Sequence, residues 1–122
     1  MTDERPMSTE TLAYKILTGA EMAQLLENGS FAGAPVDLAD GFVHLSAAGQ
    51  VQGTLDKHFA GQEDLHIACV DLAAVANALK WEVSRGGALF PHLYAPLPLS
   101  AVTAHGPVRR DTSGCVILPG LD

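Results

Sequence analysis

The hydrophobic pattern of the first third of the chain predicts a strand followed by a helix. Residues 13–17 form an apolar run of strand length. Thr18 and Glu21 have the spacing of a helix-capping box, in which each side chain bonds the other residue's backbone N–H. Met22 and two leucines further along give the helix an apolar face. Gly29 is a natural helix end because glycine readily adopts positive φ.

The middle of the chain predicts a loop, a strand, a helix and a second strand. Residues 30–41 contain two glycines, a proline and two aspartates, which is typical of a loop. The segment 41–46 alternates in the manner of a half-buried strand. Apolar residues recur at helical spacing over 51–59. The segment 65–72 is apolar on both faces, as expected of a central strand.

From Lys80 onward the pattern predicts extended structure. Trp81 and Val83 are expected to point into the core, and the two glycines of the segment 84–87 predict a turn. Proline favours an extended chain over 90–94, and the last strand is predicted within 99–108.

Strands and helices alternate in the first part of the chain, and strands predominate after Lys80. This order predicts an α+β fold. We expect one globular domain over 13–108, between a flexible N-terminal tail at 1–12 and a C-terminal tail at 109–122.

Composition and charge exclude several classes of protein. Hydrophobic residues make up 48% of the 122 positions and charged residues 17%, which is typical of a globular domain. Fourteen acids oppose seven scattered bases, for a net charge of -7, so non-specific nucleic-acid binding is disfavoured. Neither a membrane helix nor a signal peptide is evident, and Cys69 and Cys115 lack metal or redox spacing. We therefore expect a reduced cytoplasmic protein with no disulfide and no metal site.

His44 and Ser46 are the first candidates for chemistry. Strand alternation places both on one face, just before a predicted helix. A ligand at that helix start would meet backbone N–H groups, the Ser46 hydroxyl and an imidazole. The alternative interpretation is a buried histidine bonded to the backbone and a serine that only caps the helix.

A second group of candidates follows in the extended part of the chain. Glu82 faces away from Trp81, and Arg85 lies in the glycine-rich turn, where it could hold an anionic group. Their alternative role is an exposed ion pair. His92 and Tyr94 share a strand face that could pack a flat ring, or that could equally be a core face.

Several blocks of sequence resemble an uncharacterised bacterial family, domain of unknown function 952. Within the region from Ala13 to Val108, these blocks are Tyr14–Leu17, Asp40–Ser46, His58-Phe59, Trp81-Glu82, Ser84–Gly87 and Phe90–Tyr94. The departures are small: Val43 stands where isoleucine is expected, Met22 where tryptophan is expected, and Ala95 where glycine is expected.

The resemblance implies an ADP-ribosyltransferase-like fold, with small sheets and short helices around a cleft. In enzymes of that fold, an early strand supplies a residue that holds a ribose, and His44 matches that position. A later glutamate stabilises the reacting sugar, and Glu82 could match it, although the Glu-x-Glu pattern of the toxins is absent. RNA 2′-phosphotransferases of similar fold are basic proteins, whereas this chain is acidic.

These observations lead to a functional hypothesis with alternatives. The protein is expected to bind or transform an NAD-, ADP-ribose- or nucleotide-like molecule, with NAD as a candidate substrate and the cofactor unknown. We expect Glu82 and His44 to be catalytic, Ser46, Arg85, His92 and Tyr94 to bind the ligand, and all six to converge on one cleft. The alternative is a non-catalytic binding or protein-interaction module on the same fold. Substrate and oligomeric state stay open.

Overall fold

The structure is a computed structural model, and it describes residues 11–120, apart from the side chain of Arg85. The predicted N-terminal tail therefore lies outside the described residues except for its last two positions. Within this range the helices are α1 (Gly19–Asn28), α2 (Pro35–Asp40) and α3 (Val51–His58). The strands are β1 (Leu12–Thr18), β2 (Ser30–Phe31), β3 (Val43–His44), β4 (Leu65–Asp71), β5 (Leu79–Val83), β6 (Leu89–Leu93), β7 (Leu97–Pro98), β8 (Val102–Pro107), β9 (Arg109–Arg110) and β10 (Val116–Ile117). This mixture of few helices and several small sheets confirms the α+β prediction.

The first three-stranded sheet is antiparallel and has the order β1-β4-β8. Strand β4 is its centre, and residues 67–70 are buried. The central strand predicted over 65–72 is thereby confirmed. A strand with neighbours on both sides and packing on both faces has little place for polar side chains.

The second three-stranded sheet has the order β3-β6-β5 and holds the candidate site. Its antiparallel register places His44 directly opposite His92. On the other side of β6, Lys80 pairs with His92, and Glu82 pairs with Phe90. Two short strand pairs, β2 with β7 and β9 with β10, complete the sheets of the described region.

Strand β1 separates two hydrophobic clusters. Its alternation sends Ala13 and Leu17 into one cluster and Tyr14 and Ile16 into the other. The same alternation turns Lys15 toward the first cluster, where the residue is only 5% exposed. A lysine at such a position needs a buried partner for its charge.

Helix α1 has the ends that its sequence predicts. The backbone N–H of Glu21 donates to Oγ1 of Thr18 at 3.1 Å, and the N–H of Thr18 donates to Oε1 of Glu21 at 3.0 Å. Gly29 follows the helix with φ of 77°, a conformation that a residue with a Cβ adopts at a cost. The predicted capping box and helix end are both confirmed.

The loop predicted over 30–41 is wrong in part, because this segment contains helix α2. Pro35 occupies the first turn, where its missing N–H costs nothing. Asp37 accepts a hydrogen bond from the backbone N–H of Ala34 at 2.8 Å and so satisfies a donor at the helix start. Gly41 ends the helix with φ of 89°. The glycines and the proline that suggest a loop are the boundaries of a six-residue helix.

Three further predictions differ from the structure. Ser46 does not cap α3, because the turn Ala48–Gln50 comes first and the Ser46 hydroxyl lies 3.1 Å from the Thr54 hydroxyl. Val83 does not enter the core and is 69% exposed, at the last position of β5. In the predicted C-terminal tail, β9 and β10 pair as a hairpin.

Candidate functional site

Four aromatic and imidazole rings meet on the second sheet. His44 on β3 and His92 on β6 face each other with ring centroids 5.6 Å apart. Phe42, just before β3, stacks on His92 at 4.0 Å and lies 4.5 Å from His44. Tyr94, just after β6, is 5.1 Å from Phe42. We call these four residues the ring cluster.

Glu82 holds one side of the ring cluster. Its Oε1 atom lies 2.7 Å from Nδ1 of His92 and accepts a hydrogen bond from the Tyr94 hydroxyl at 2.6 Å. The pairing of β5 with β6 makes Glu82 and His92 diagonal neighbours, which long side chains can span. The Glu82 side chain is 38% exposed, whereas that of His92 is 6% exposed. The carboxylate therefore stands at the border between the buried imidazole and solvent.

The hydrogen bonds of Glu82 shift two pKa values in opposite directions. The Tyr94 hydroxyl, and then His92, lower the pKa of Glu82 by stabilising its ionised form. The same bond raises the pKa of Tyr94, because the neutral phenol is the form that donates to the carboxylate. Lys80 lies over the Tyr94 ring at 4.9 Å and adds a positive charge to this edge.

His44 lies between two aspartates of α2. Its Nδ1 atom is 2.6 Å from Oδ1 of Asp37, and its Nε2 atom is 3.0 Å from Oδ2 of Asp40. The Asp37 side chain is 1% exposed, whereas the Asp40 side chain is 49% exposed. His44 thus has one partner in the interior and one at the surface.

Asp37 is the buried partner that Lys15 requires. Nζ of Lys15 donates to Oδ2 of Asp37 at 2.9 Å. Burial by itself would raise the pKa of Asp37. The hydrogen bond from His44, the charge of Lys15 and the bonds from Lys15 and Ala34 outweigh it and hold that pKa well below its usual range. The carboxylate is therefore ionised at neutral pH.

The structure brings together four of the six residues predicted to share a site: His44, Glu82, His92 and Tyr94. Ser46 is buried and directs its hydroxyl to Thr54. Arg85 lies in the turn Arg85–Gly87, and its side chain is outside the described part of the structure. Their roles in binding or catalysis remain predictions.

Sequence reasoning missed several members of the site. Phe42 is not among the predicted site residues, although alternation places it on the strand face of His44. Lys15 could have been flagged as a single charge inside an apolar strand. Asp37 and Asp40 carry no such signal, because the glycines and the proline of their segment are typical of a loop.

Two recesses of the surface are lined by residues outside the ring cluster. One, of about 490 Å³, is lined in part by Leu55, Phe59 and Pro107. The other, of about 260 Å³, is lined in part by Val75 and Pro96. Neither includes a member of the ring cluster, so this candidate site is a face of the sheet outside both recesses. Among residues 11–120, no group of three or more His, Cys, Asp or Glu side chains is arranged to hold a metal ion.

The family described as "Protein of unknown function (DUF952)" matches residues 16–105. The chain belongs to this family. The DUF952 match includes all of the ring cluster together with Glu82, Asp37 and Asp40. The family resemblance seen in the sequence is thereby confirmed.

Solved structures of a Caulobacter crescentus protein are similar to the chain. The crystal structure of protein CC0527 is 49% identical, with a TM-score of 0.80, and the match covers 88% of this chain and 95% of that one. Its solution NMR structure is 50% identical, with a TM-score of 0.73, and the match covers 86% and 90% of the two chains. None of the curated proteins matches the chain significantly. No helix within the described residues is long and apolar enough to cross a membrane.

Proposed function

We propose that the ring cluster, with Glu82, binds a small molecule that contains a flat ring and is NAD-, ADP-ribose- or nucleotide-like. One observation carries the proposal: two imidazoles 5.6 Å apart, each with Nδ1 near a carboxylate, pack against Phe42, which also contacts Tyr94. Aromatic faces bind flat rings by stacking, and polar groups at their border fix the orientation.

Within this proposal the residues have different roles. His44 is the proposed acid or base, because its Nε2 atom lies on the exposed side, near Asp40. Glu82 is the second proposed catalytic group, and Tyr94 and His92 contact the ligand. Arg85 is proposed to hold an anionic group, on the ground of its glycine-rich turn. Ser46 is given no direct role in this proposal, because its hydroxyl is directed to Thr54.

The ADP-ribosyltransferase-like fold and the cytoplasmic location belong to the same proposal. The family resemblance and the small sheets support the fold assignment. Cys69 and Cys115 are both free thiols, which fits a reducing compartment.

A non-catalytic binding module is the second candidate, and one observation favours it. Both the Tyr94 hydroxyl and Nδ1 of His92 lie within 2.7 Å of the same oxygen of Glu82. A carboxylate held in this way braces the two side chains, and it would have to release one of them to act on a ligand. Under this alternative the face binds its ligand without turnover.

Ligand-induced thermal stabilisation, paired with an assay of NAD consumption, tests both candidates. NAD, ADP-ribose and AMP are the probes. A ligand at about one hundred times its Kd stabilises the folded state by about 2.7 kcal/mol, which shifts Tm by on the order of 10 °C. We expect His44→Ala and Glu82→Gln to remove this shift while the proteins stay folded. NAD consumption distinguishes the enzyme from the binding module.

His105→Ala is the matched control, because His105 is an exposed histidine on the other three-stranded sheet. It should respond to ligand as the wild type does. Loss of the ligand shift in this control, or an unchanged shift in His44→Ala, would contradict the assignment of the site to the ring cluster.

A further inference from the structure

The Asp37 carboxylate uses all of its accepting capacity inside the protein. Oδ1 accepts from the backbone N–H of His44 at 3.1 Å and lies 2.6 Å from the Nδ1 atom of the same residue. Oδ2 accepts from Nζ of Lys15 at 2.9 Å and from the N–H of Ala34 at 2.8 Å. An ionised carboxylate offers about four acceptor positions, so these contacts saturate it.

The direction of the hydrogen bond between Asp37 and His44 follows from the charge of Asp37. The carboxylate is buried against Lys15 and has no proton to donate. A contact of 2.6 Å between its Oδ1 and the imidazole Nδ1 therefore requires the hydrogen to be on the nitrogen. This requirement holds for the neutral imidazole as well as for the imidazolium.

We propose that Asp37 is a positioning residue which, with Lys15 as its buried counter-ion, keeps a proton on Nδ1 of His44 and leaves Nε2 as the atom that exchanges protons. The importance of this arrangement for chemistry rests on the proposed function, but the arrangement itself exists without a ligand. Asp37 and Lys15 thereby have roles in positioning His44, although neither side chain touches a ligand.

The surroundings of His44 separate the fixed side of the ring from the accessible side. Asp40, from the same helix as Asp37, faces Nε2 at 3.0 Å and so competes for the single hydrogen of a neutral imidazole, but its side chain is half exposed and water can replace this contact. His92, from β6, meets the ring edge-on, and Phe42 lies beside it. A ligand can displace the exposed Asp40 from Nε2, whereas displacing Asp37 would leave Lys15 buried without a counter-ion. Proton exchange is thereby directed to one nitrogen.

Nitrogen-15 NMR of the ligand-free protein tests the proposal directly. Long-range proton–nitrogen correlations distinguish protonated from bare ring nitrogens, here followed from about pH 5 to about pH 8, where histidines titrate. We expect Nδ1 of His44 to carry a proton in every spectrum, so that a neutral His44 is bare only at Nε2. The exposed His58 and His105 provide reference signals in the same spectra. A neutral His44 with its proton on Nε2 overturns the proposal.

Two matched variants on α2 extend the test. Asp40→Asn should leave the neutral tautomer of His44 unchanged. Asp37→Asn should let the other tautomer appear, because Lys15 repels the amide nitrogen and turns it toward Nδ1. A changed tautomer in Asp40→Asn, or an unchanged one in folded Asp37→Asn, overturns the proposal.

If Asp37→Asn does not fold, the wild-type and Asp40→Asn spectra still show which ring nitrogen of neutral His44 carries the proton. These spectra need no ligand, so a protein that binds none of the nucleotide probes can still show the fixed tautomer. Failure of the proposed function is thereby distinguishable from failure of this inference.

Discussion

Removing the Asp37 carboxylate should destabilise the protein far more than its small side chain suggests. The substitution Asp37→Ala leaves the ammonium group of Lys15, whose side chain is only 6% exposed, without its counter-ion. It also removes the acceptor for the backbone N–H groups of Ala34 and His44. The start of α2 and strand β3 therefore lose the side chain that links them by hydrogen bonds.

The expected magnitude follows from the burial of the pair. Breaking a buried ion pair by removing one partner costs about 3–5 kcal/mol, because the remaining charge stays desolvated. For a chain of 122 residues this corresponds to a decrease in Tm on the order of 10–20 °C. Chemical denaturation monitored by circular dichroism measures the free energy of unfolding directly.

Asp40→Ala is the matched control for this measurement. Asp40 belongs to the same helix and also contacts His44, but its side chain is 49% exposed. An exposed ion pair contributes about 1 kcal/mol or less. Equal losses in Asp37→Ala and Asp40→Ala would refute the argument that burial determines the cost.

The double variant with Lys15→Met isolates the orphaned charge. In the Asp37→Ala background, replacing Lys15 removes the charge that the first substitution leaves desolvated. The double variant should therefore recover part of the lost stability, as a double-mutant cycle can show. A purely additive loss from the two substitutions would mean that Lys15 is not held in place by Asp37.

Three further outcomes follow from the described contacts. Because the pKa of Asp37 is lowered by folding, its stabilising effect is complete above its ordinary pKa of 3.8 and is lost as pH falls below it. Wild-type stability should therefore drop more steeply than that of Asp37→Ala in acid denaturation below about pH 4. A thiol reagent should label the exposed Cys115 in the native protein and the buried Cys69 only on unfolding; a linked Cys69–Cys115 peptide would contradict this. Thr18→Ala should lower the free energy of unfolding by about 1 kcal/mol, measured by urea denaturation, because Glu21 loses its capping acceptor; an unchanged midpoint would contradict it.

The parts of the fold that sequence reasoning identified are those with strong local signals. Thr18, Glu21 and Gly29 belong to one short helix and its two caps, and they act through neighbouring backbone groups. The central strand β4 is recognisable because both of its faces are apolar. The pairing of β3 with β6 joins residues almost fifty positions apart, and no local sequence pattern predicts the register of these two strands. The sequence predicts that His44 and His92 converge only because both are candidates for chemistry, and it does not predict that their strands pair.

The missed helix α2 explains why the sequence identified His44 but not the residues that hold it. Six residues between a glycine-bounded turn and Gly41 are too few for helical periodicity to emerge, and Val36 and Leu38 are exposed. The short helix is stabilised instead by one local and one tertiary contact of Asp37, whose side chain accepts from the Ala34 N–H at the helix start and from the distant Lys15 ammonium group. Lys15 in turn is tolerated within an apolar strand only because that carboxylate reaches it. In the sequence, Lys15 looks misplaced and Asp37 looks like an ordinary loop residue, and only their contact with His44 gives the pair its proposed role in chemistry.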